Sequence, residues 1–197
     1  MPTRAAPLVA AVRSVVFGLS LLLMPLLAGC DYARLARPSV LSELTPPVAR
    51  LVNELPDLDA PNKAIVAQLY AVGGLAHAEE RPDGSTHVDV AVPPHRMMWQ
   101  PAVIDMPHGG TLELRFSNHD QAFHAAYLPS DGGQQLLELP VHEGGVARIE
   151  LDQPGLYWFG CPVADHVGRG MLGLIIVRGA VPQEARLDRP PQRRPGS

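Results

Sequence analysis

Gly155-Leu156-Tyr157-Trp158-Phe159-Gly160-Cys161-Pro162-Val163-Ala164-Asp165-His166-Val167-Gly168-Arg169-Gly170-Met171, running on into Leu172-Gly173-Leu174-Ile175-Ile176-Val177, is the stretch on which the reading of this chain turns. An aromatic strand delivers a cysteine into a loop, and an apolar strand leaves it. Inside the loop, four residues separate Cys161 from His166 and four separate His166 from Met171. One turn can therefore present a thiolate, an imidazole and a thioether to a common point.

Thiolate and thioether favour Cu(I) and imidazole suits both oxidation states, so these are the ligands of a blue-copper site. Such a site needs a second imidazole from elsewhere in the chain. The segment Phe116-Ser117-Asn118-His119-Asp120-Gln121-Ala122-Phe123-His124 offers one at the start of the strand that follows a turn, and His124 is preferred over His119. A zinc ion on His124, Cys161 and His166 is chemically allowed, but a methionine suits zinc poorly as fourth ligand. The competing reading keeps a sandwich without metal, with Cys161 a buried thiol and Met171 core packing. His77, His87, His95, His108, His119 and His142 lack ligand spacing with one another and read as surface residues. Met97-Met98-Trp99 reads as an apolar packing cluster.

Outward from the loop, the dominant period is two. Val88, Val90 and Val92 alternate with His87, Asp89 and Ala91; Leu112, Leu114 and Phe116 with Glu113 and Arg115; Ala147, Ile149 and Leu151 with Arg148 and Glu150. Alternation of this kind marks half-buried strands. Turn signals fall at Pro82-Asp83-Gly84, Gly109-Gly110, Asp131-Gly132-Gly133, Gly144-Gly145 and Pro154-Gly155, and many short strands with frequent turns indicate a sandwich. Ile65, Val66, Leu69 and Tyr70 instead fit a helical face between Asn62 and Gly73-Gly74, as a short helix or an edge strand. Trp158 and Phe159 point to opposite faces of their strand, one toward the core and one outward. There is no Gly-rich phosphate loop after a strand and no Gly-x-Ser-x-Gly elbow, so nucleotide and serine-hydrolase chemistry have no residues to stand on.

With its Phe-x-Asn segment several residues before one histidine and its Cys-His-Met loop late in the chain, the sequence resembles the cupredoxin family of small blue-copper proteins over roughly residues 86–178. The resemblance implies an all-β, two-sheet Greek-key sandwich. It implies one type 1 copper ion near one end, with His124, Cys161 and His166 in a plane and Met171 as a weak axial ligand, and it implies one-electron transfer rather than catalysis. Two positions depart from the family pattern. Asp165 stands where many relatives have Gly before the loop histidine, and Ala125 where many have Asn or Ser after the first.

The termini set the expected compartment. Arg4 and Arg13 flank the start of an uncharged apolar run, Ser14–Leu27, too short for a comfortable membrane span, and it ends in Leu27-Ala28-Gly29-Cys30. That ending resembles a bacterial lipobox, which implies a signal peptide at 1–29 and a lipid on Cys30; the alternative is an uncleaved signal anchor. A Pro-rich spacer is expected at 30–61, the cupredoxin-like domain at 62–178, and a disordered Pro/Arg-rich tail at 179–197. Of 16 Lys plus Arg, loss of Arg4 and Arg13 leaves 14 against 20 acids, a net charge of about −6 that provides no basic surface for nucleic acid.

The expected function is therefore a monomeric electron carrier on a membrane, facing the periplasm or cell exterior, with a c-type cytochrome, a terminal oxidase or a periplasmic dehydrogenase as partner. The alternative is a periplasmic copper-handling lipoprotein that stores or delivers the ion.

Overall fold

The structure is a computed structural model that describes residues 46–55 and 58–182. The expected signal peptide, Cys30, the first half of the spacer and the tail beyond 182 lie outside the described residues. Two helices, α1 (Pro46–Asn53) and α2 (Ala60–Gly73), precede ten strands: β1 (Leu75–His77), β2 (Glu79–Glu80), β3 (Thr86–Val92), β4 (Val103–Met106), β5 (Gly110–Asn118), β6 (His124–Ser130), β7 (Gly133–Leu139), β8 (Gly144–Leu151), β9 (Gly155–Gly160) and β10 (Leu172–Val177). One sheet runs β1-β4-β10-β9-β6-β7 and the other β2-β3-β5-β8. The two sheets enclose one core as an all-β sandwich, as expected.

The period-two pattern decides which side chains meet between the sheets. Val88, Val90 and Val92 of β3 turn inward, as do Leu112, Leu114 and Phe116 of β5 and Ala147, Ile149 and Leu151 of β8. From the other sheet come Ala126, Leu128, Phe159 and Ile175. Trp99 fills the centre, with its ring 5.5 Å from that of Phe116 and 5.8 Å from that of Phe159. Each large side chain removed from water here contributes roughly 1.5–3 kcal/mol.

β10 shows no alternation, because it is covered on both sides. Ile175 and Val177 face the interior, while Leu174 and Ile176 face a second core that the helices close. Trp158 joins this second core and Phe159 the first. The outward side of β9 is thus not the water-facing surface that simple alternation implies.

The segment expected as a helix or edge strand is α2. The Asp59 carboxylate accepts the Asn62 backbone N–H at 2.9 Å as N-cap, and Gly74 closes the other end by donating its N–H to Tyr70 O. A larger correction concerns the spacer. Val48, Leu51, Val52 and Leu55 are buried against Val103, Leu174 and Ile176, so the folded unit begins by residue 46 rather than at 62. Those four follow i, i+3, i+4, i+7 spacing, and the prolines at 46 and 47 sit in the first helical turn, where a missing N–H costs no bond. At the other terminus, Gly179 O accepts the Gly109 N–H at 2.6 Å and Val181 is buried, which carries the fold past the expected boundary at 178.

Candidate metal centre

Three strand ends converge at one end of the six-stranded sheet. β9 and β10 pair with Gly160 opposite Leu172, which closes the loop between them, and Tyr127 of β6 pairs with Gly160. Cys161 therefore leaves β9 beside the first turn of β6, where His124 stands. The loop is tied internally: Cys161 N–H donates to Met171 O (3.1 Å), His166 N–H to Val163 O (3.0 Å), and Met171 N–H to His166 O (2.9 Å). Gly170 turns the chain back at φ 103°, a conformation that side chains resist, and thereby delivers Met171 to the sheet.

His124, Cys161 and His166 come together. Their ligand atoms all lie within 4.8 Å of one another, and no other such cluster of His, Cys, Asp and Glu occurs among the described residues. Cys161 Sγ is 3.3 Å from His166 Nδ1 and 3.9 Å from His124 Nδ1, and the two Nδ1 atoms are 3.2 Å apart. Two nitrogens and a sulfur each bound at about 2.0–2.3 Å to one ion in their plane would be spaced about 3.5–4 Å, so the cluster is close to the size of a single metal ion. The donors suit copper: a thiolate and two imidazoles, with the thioether of Met171 carried on the same loop as Cys161 and His166.

Burial shapes the electrostatics. Cys161 and His124 are 0% exposed and His166 8%. Burial first, then His124 and Arg169, push the His166 ring below the usual histidine range, against the opposing pull of Asp120 and Asp165. The ring is kept neutral, as a ligand must be. Ala125 N–H donates to Cys161 Sγ at 3.4 Å, a backbone bond that needs no particular side chain at 125. Asp165 is exposed and its backbone carbonyl accepts the Arg169 N–H.

Met171 is fully buried in the same core cluster as Cys161. His119 is exposed and takes no part in the cluster. Of the other histidines, His77, His95 and His142 are exposed as expected, but His87 and His108 are only partly so. His87 approaches Asp89, two residues along its own strand, and Glu113, its pairing partner on β5, while His108, between β4 and β5, approaches Glu80. Met97 packs against the inner core beside Trp99.

Two residues that hold the site were assigned no role from the sequence, although the first of them closes the Phe-x-Asn segment. Asn118 is 1% exposed, and its amide donates to Ala122 O, Leu139 O and Pro140 O at 2.9–3.0 Å while Asp120 N–H donates to its Oδ1. Asp120 Oδ2 lies 3.1 Å from His124 Nε2. The available signal was a carboxylate four residues before a ligand histidine.

A protein-family model described as MSMEG_3727, PQQ-associated, matches residues 45–195. The chain belongs to this PQQ-associated family. The match takes in both helices, in agreement with the early start of the fold. No curated protein matches its sequence significantly. Among solved structures it is similar to dithionite-reduced auracyanin from Roseiflexus castenholzii, at 17% identity and TM-score 0.41, over 46% of this chain and 95% of that one. It is likewise similar to auracyanin A, a "blue" copper protein from Chloroflexus aurantiacus, at 14% identity and TM-score 0.42, over 48% and 99%. A copper nitrite reductase from Nitrosomonas europaea matches at 18% identity and TM-score 0.41, over 48% of this chain and 42% of that one.

Proposed function

We propose that this protein binds one copper ion that His124, Cys161, His166 and Met171 would hold, and carries single electrons between redox partners outside the cytoplasm. The observation that carries the reading is the buried thiolate and two imidazoles, within 4.8 Å of one another at the meeting point of three strand ends. When bound, copper supplies a one-electron couple. The chain supplies a rigid, dry pocket: the loop's backbone bonds hold the ligands, and the interior core excludes water behind Cys161.

Only His166 reaches the surface, and exposed Val167 follows it in sequence, while exposed Phe123 precedes His124. An electron can pass through the His166 edge to a partner without either molecule opening. The same closure weighs against storage or delivery of the ion, which requires ligands that a partner can replace. The family's description as PQQ-associated is what suggests, as donor, a dehydrogenase that uses pyrroloquinoline quinone; a c-type cytochrome is the acceptor we propose. A lipid on Cys30 would hold the carrier at a membrane and raise its concentration near such partners.

Titration of the purified chain with Cu(II) tests the reading. The expected result is an intense visible thiolate-to-copper absorption at one equivalent, absent in Cys161→Ala. Colourless binding, or none, would overturn it.

A further inference from the structure

Behind His124, on the side away from Cys161, lies one buried carboxylate that the copper-binding reading does not use. Asp120 is 8% exposed. Its Oδ2 lies 3.1 Å from His124 Nε2, and its Oδ1 accepts the backbone N–H of His95 at 3.0 Å. Its own N–H is held by Asn118 Oδ1. The two oxygens therefore join the turn before β6 to a separate loop, 93–99, in which His95 adopts a left-handed backbone at φ 56°.

An ionised carboxylate can only accept hydrogen bonds. The proton of a neutral His124 ring must then sit on Nε2, which leaves the Nδ1 lone pair directed toward Cys161 and His166. Both Asp120 oxygens face N–H donors, the His95 backbone at Oδ1 and the His124 ring at Oδ2, which is the pairing of a carboxylate acting as acceptor.

We infer that Asp120 is a positioning residue for the metal centre: it holds His124 in the Nε2–H tautomer and places a negative charge behind that ligand, which favours Cu(II) over Cu(I). A carboxylate partner makes an imidazole a stronger donor, and the loss of such partners commonly costs 10–100-fold in metal affinity. Copper(II) gains more than Cu(I) from a basic ligand and an adjacent anion, so Asp120 lowers the reduction potential. This inference rests on the copper-binding reading for its redox arm, but the tautomer arm needs no metal.

The test compares the full-length chain with Asp120→Asn, which keeps an acceptor oxygen and removes the charge, and with Asp120→Ala, which removes both. Ring-nitrogen NMR of the metal-free proteins is expected to show one Nε2–H tautomer of His124 in the wild type and in Asp120→Asn, and a mixture in Asp120→Ala. In chelator competition, Asp120→Ala is expected to lose roughly 10–100-fold in Cu(II) affinity with Cu(I) affinity unchanged, which at 59 mV per tenfold raises the potential by about 59–118 mV. Asp120→Asn is expected to raise it by less, with its tautomer intact. If Asp120→Ala keeps the single tautomer, or if neither folded variant moves the potential, the positioning role is wrong. If the wild type takes up no copper, the proposed function falls, and the tautomer result alone decides whether Asp120 orients His124.

Discussion

Asn118→Ala is the substitution whose consequence can be worked most fully from the structure. The Asn118 amide offers two hydrogens to three carbonyls, so one is shared, and its oxygen holds Asp120 N–H. Alanine removes three bonds' worth of pairing, each worth about 1 kcal/mol net. It also strands groups that differ in their access to water. Ala122 and Pro140 are half-buried, and solvent can replace the lost donor there. Leu139 is fully buried and Asp120 is 8% exposed, so the Leu139 carbonyl and the Asp120 N–H add a desolvation cost of about 1 kcal/mol or more. The total is roughly 3–5 kcal/mol, a large part of the ~5–15 kcal/mol by which domains of this size are stable. With a urea dependence of about 2 kcal/mol per molar, the unfolding midpoint should fall by about 2 M. The control is Ser117→Ala, one residue earlier and half-buried, expected to lie within about 0.5 kcal/mol of wild type. An Asn118→Ala protein within about 1 kcal/mol of wild type would mean that the turn before His124 is not held by this side chain.

Three further outcomes follow from other parts of the fold. Leu51→Asp sets a charge into the second core and should cost roughly 3 kcal/mol or more in urea unfolding, whereas Val72→Asp, 44% exposed, should be near neutral; equal stability of the two would remove α1 from the folded unit. Gly173→Ala places a Cβ inside the space of the Phe159 ring and should cost roughly 1–3 kcal/mol, readable as a lower melting temperature, while no change would mean that the ring has room to move. Hydrogen bonds from Arg81 and then Arg148 pull the Glu113 carboxyl from 4.5 down to about 2. A depressed folded-state value gives stability that is complete above pH 4.5 and is lost as pH falls toward 2, so Glu113→Gln should flatten the fall in urea midpoint across that window, and parallel curves would refute the assignment.

Much of the sandwich was legible because its signals are local. The alternation at Val88–Val92, Leu112–Phe116 and Ala147–Leu151 reports one buried face directly, and the loop 161–171 lists three candidate ligands within eleven residues. His124 was separable from His119 because a histidine on the first residue of an inner strand points inward, while its neighbour on the turn does not. The helical layer was less legible. Prolines at 46 and 47 read as breaks, yet at a helix start they cost nothing, and the four apolar residues behind them form a stripe too short to stand out. Without that layer in view, the second face of β9 and β10 had no partner to predict. Asp120 was illegible for a different reason: its role depends on the shape of the turn between β5 and β6, which no periodicity encodes.

The helical layer bears on the site although it contributes no ligand. Cys161, His166 and Met171 hang between β9 and β10, so their placement is only as rigid as those two strands. Each strand is gripped from both sides. Phe159 and Ile175 lock into the inner core with Cys161 and Met171, while Trp158, Leu172 and Leu174 lock into the core beneath the helices. Leu172, which follows Met171, lies opposite Gly160, which precedes Cys161, so packing under the helices reaches the two residues that frame the ligand loop. A strand covered on one face can tilt toward solvent, whereas one covered on both can move only by opening a cavity in close-packed surroundings. For a centre whose proposed work requires ligands that stay in place as charge changes, this gives the N-terminal helices a function in the fold: they make the strands that carry the loop stiff from behind.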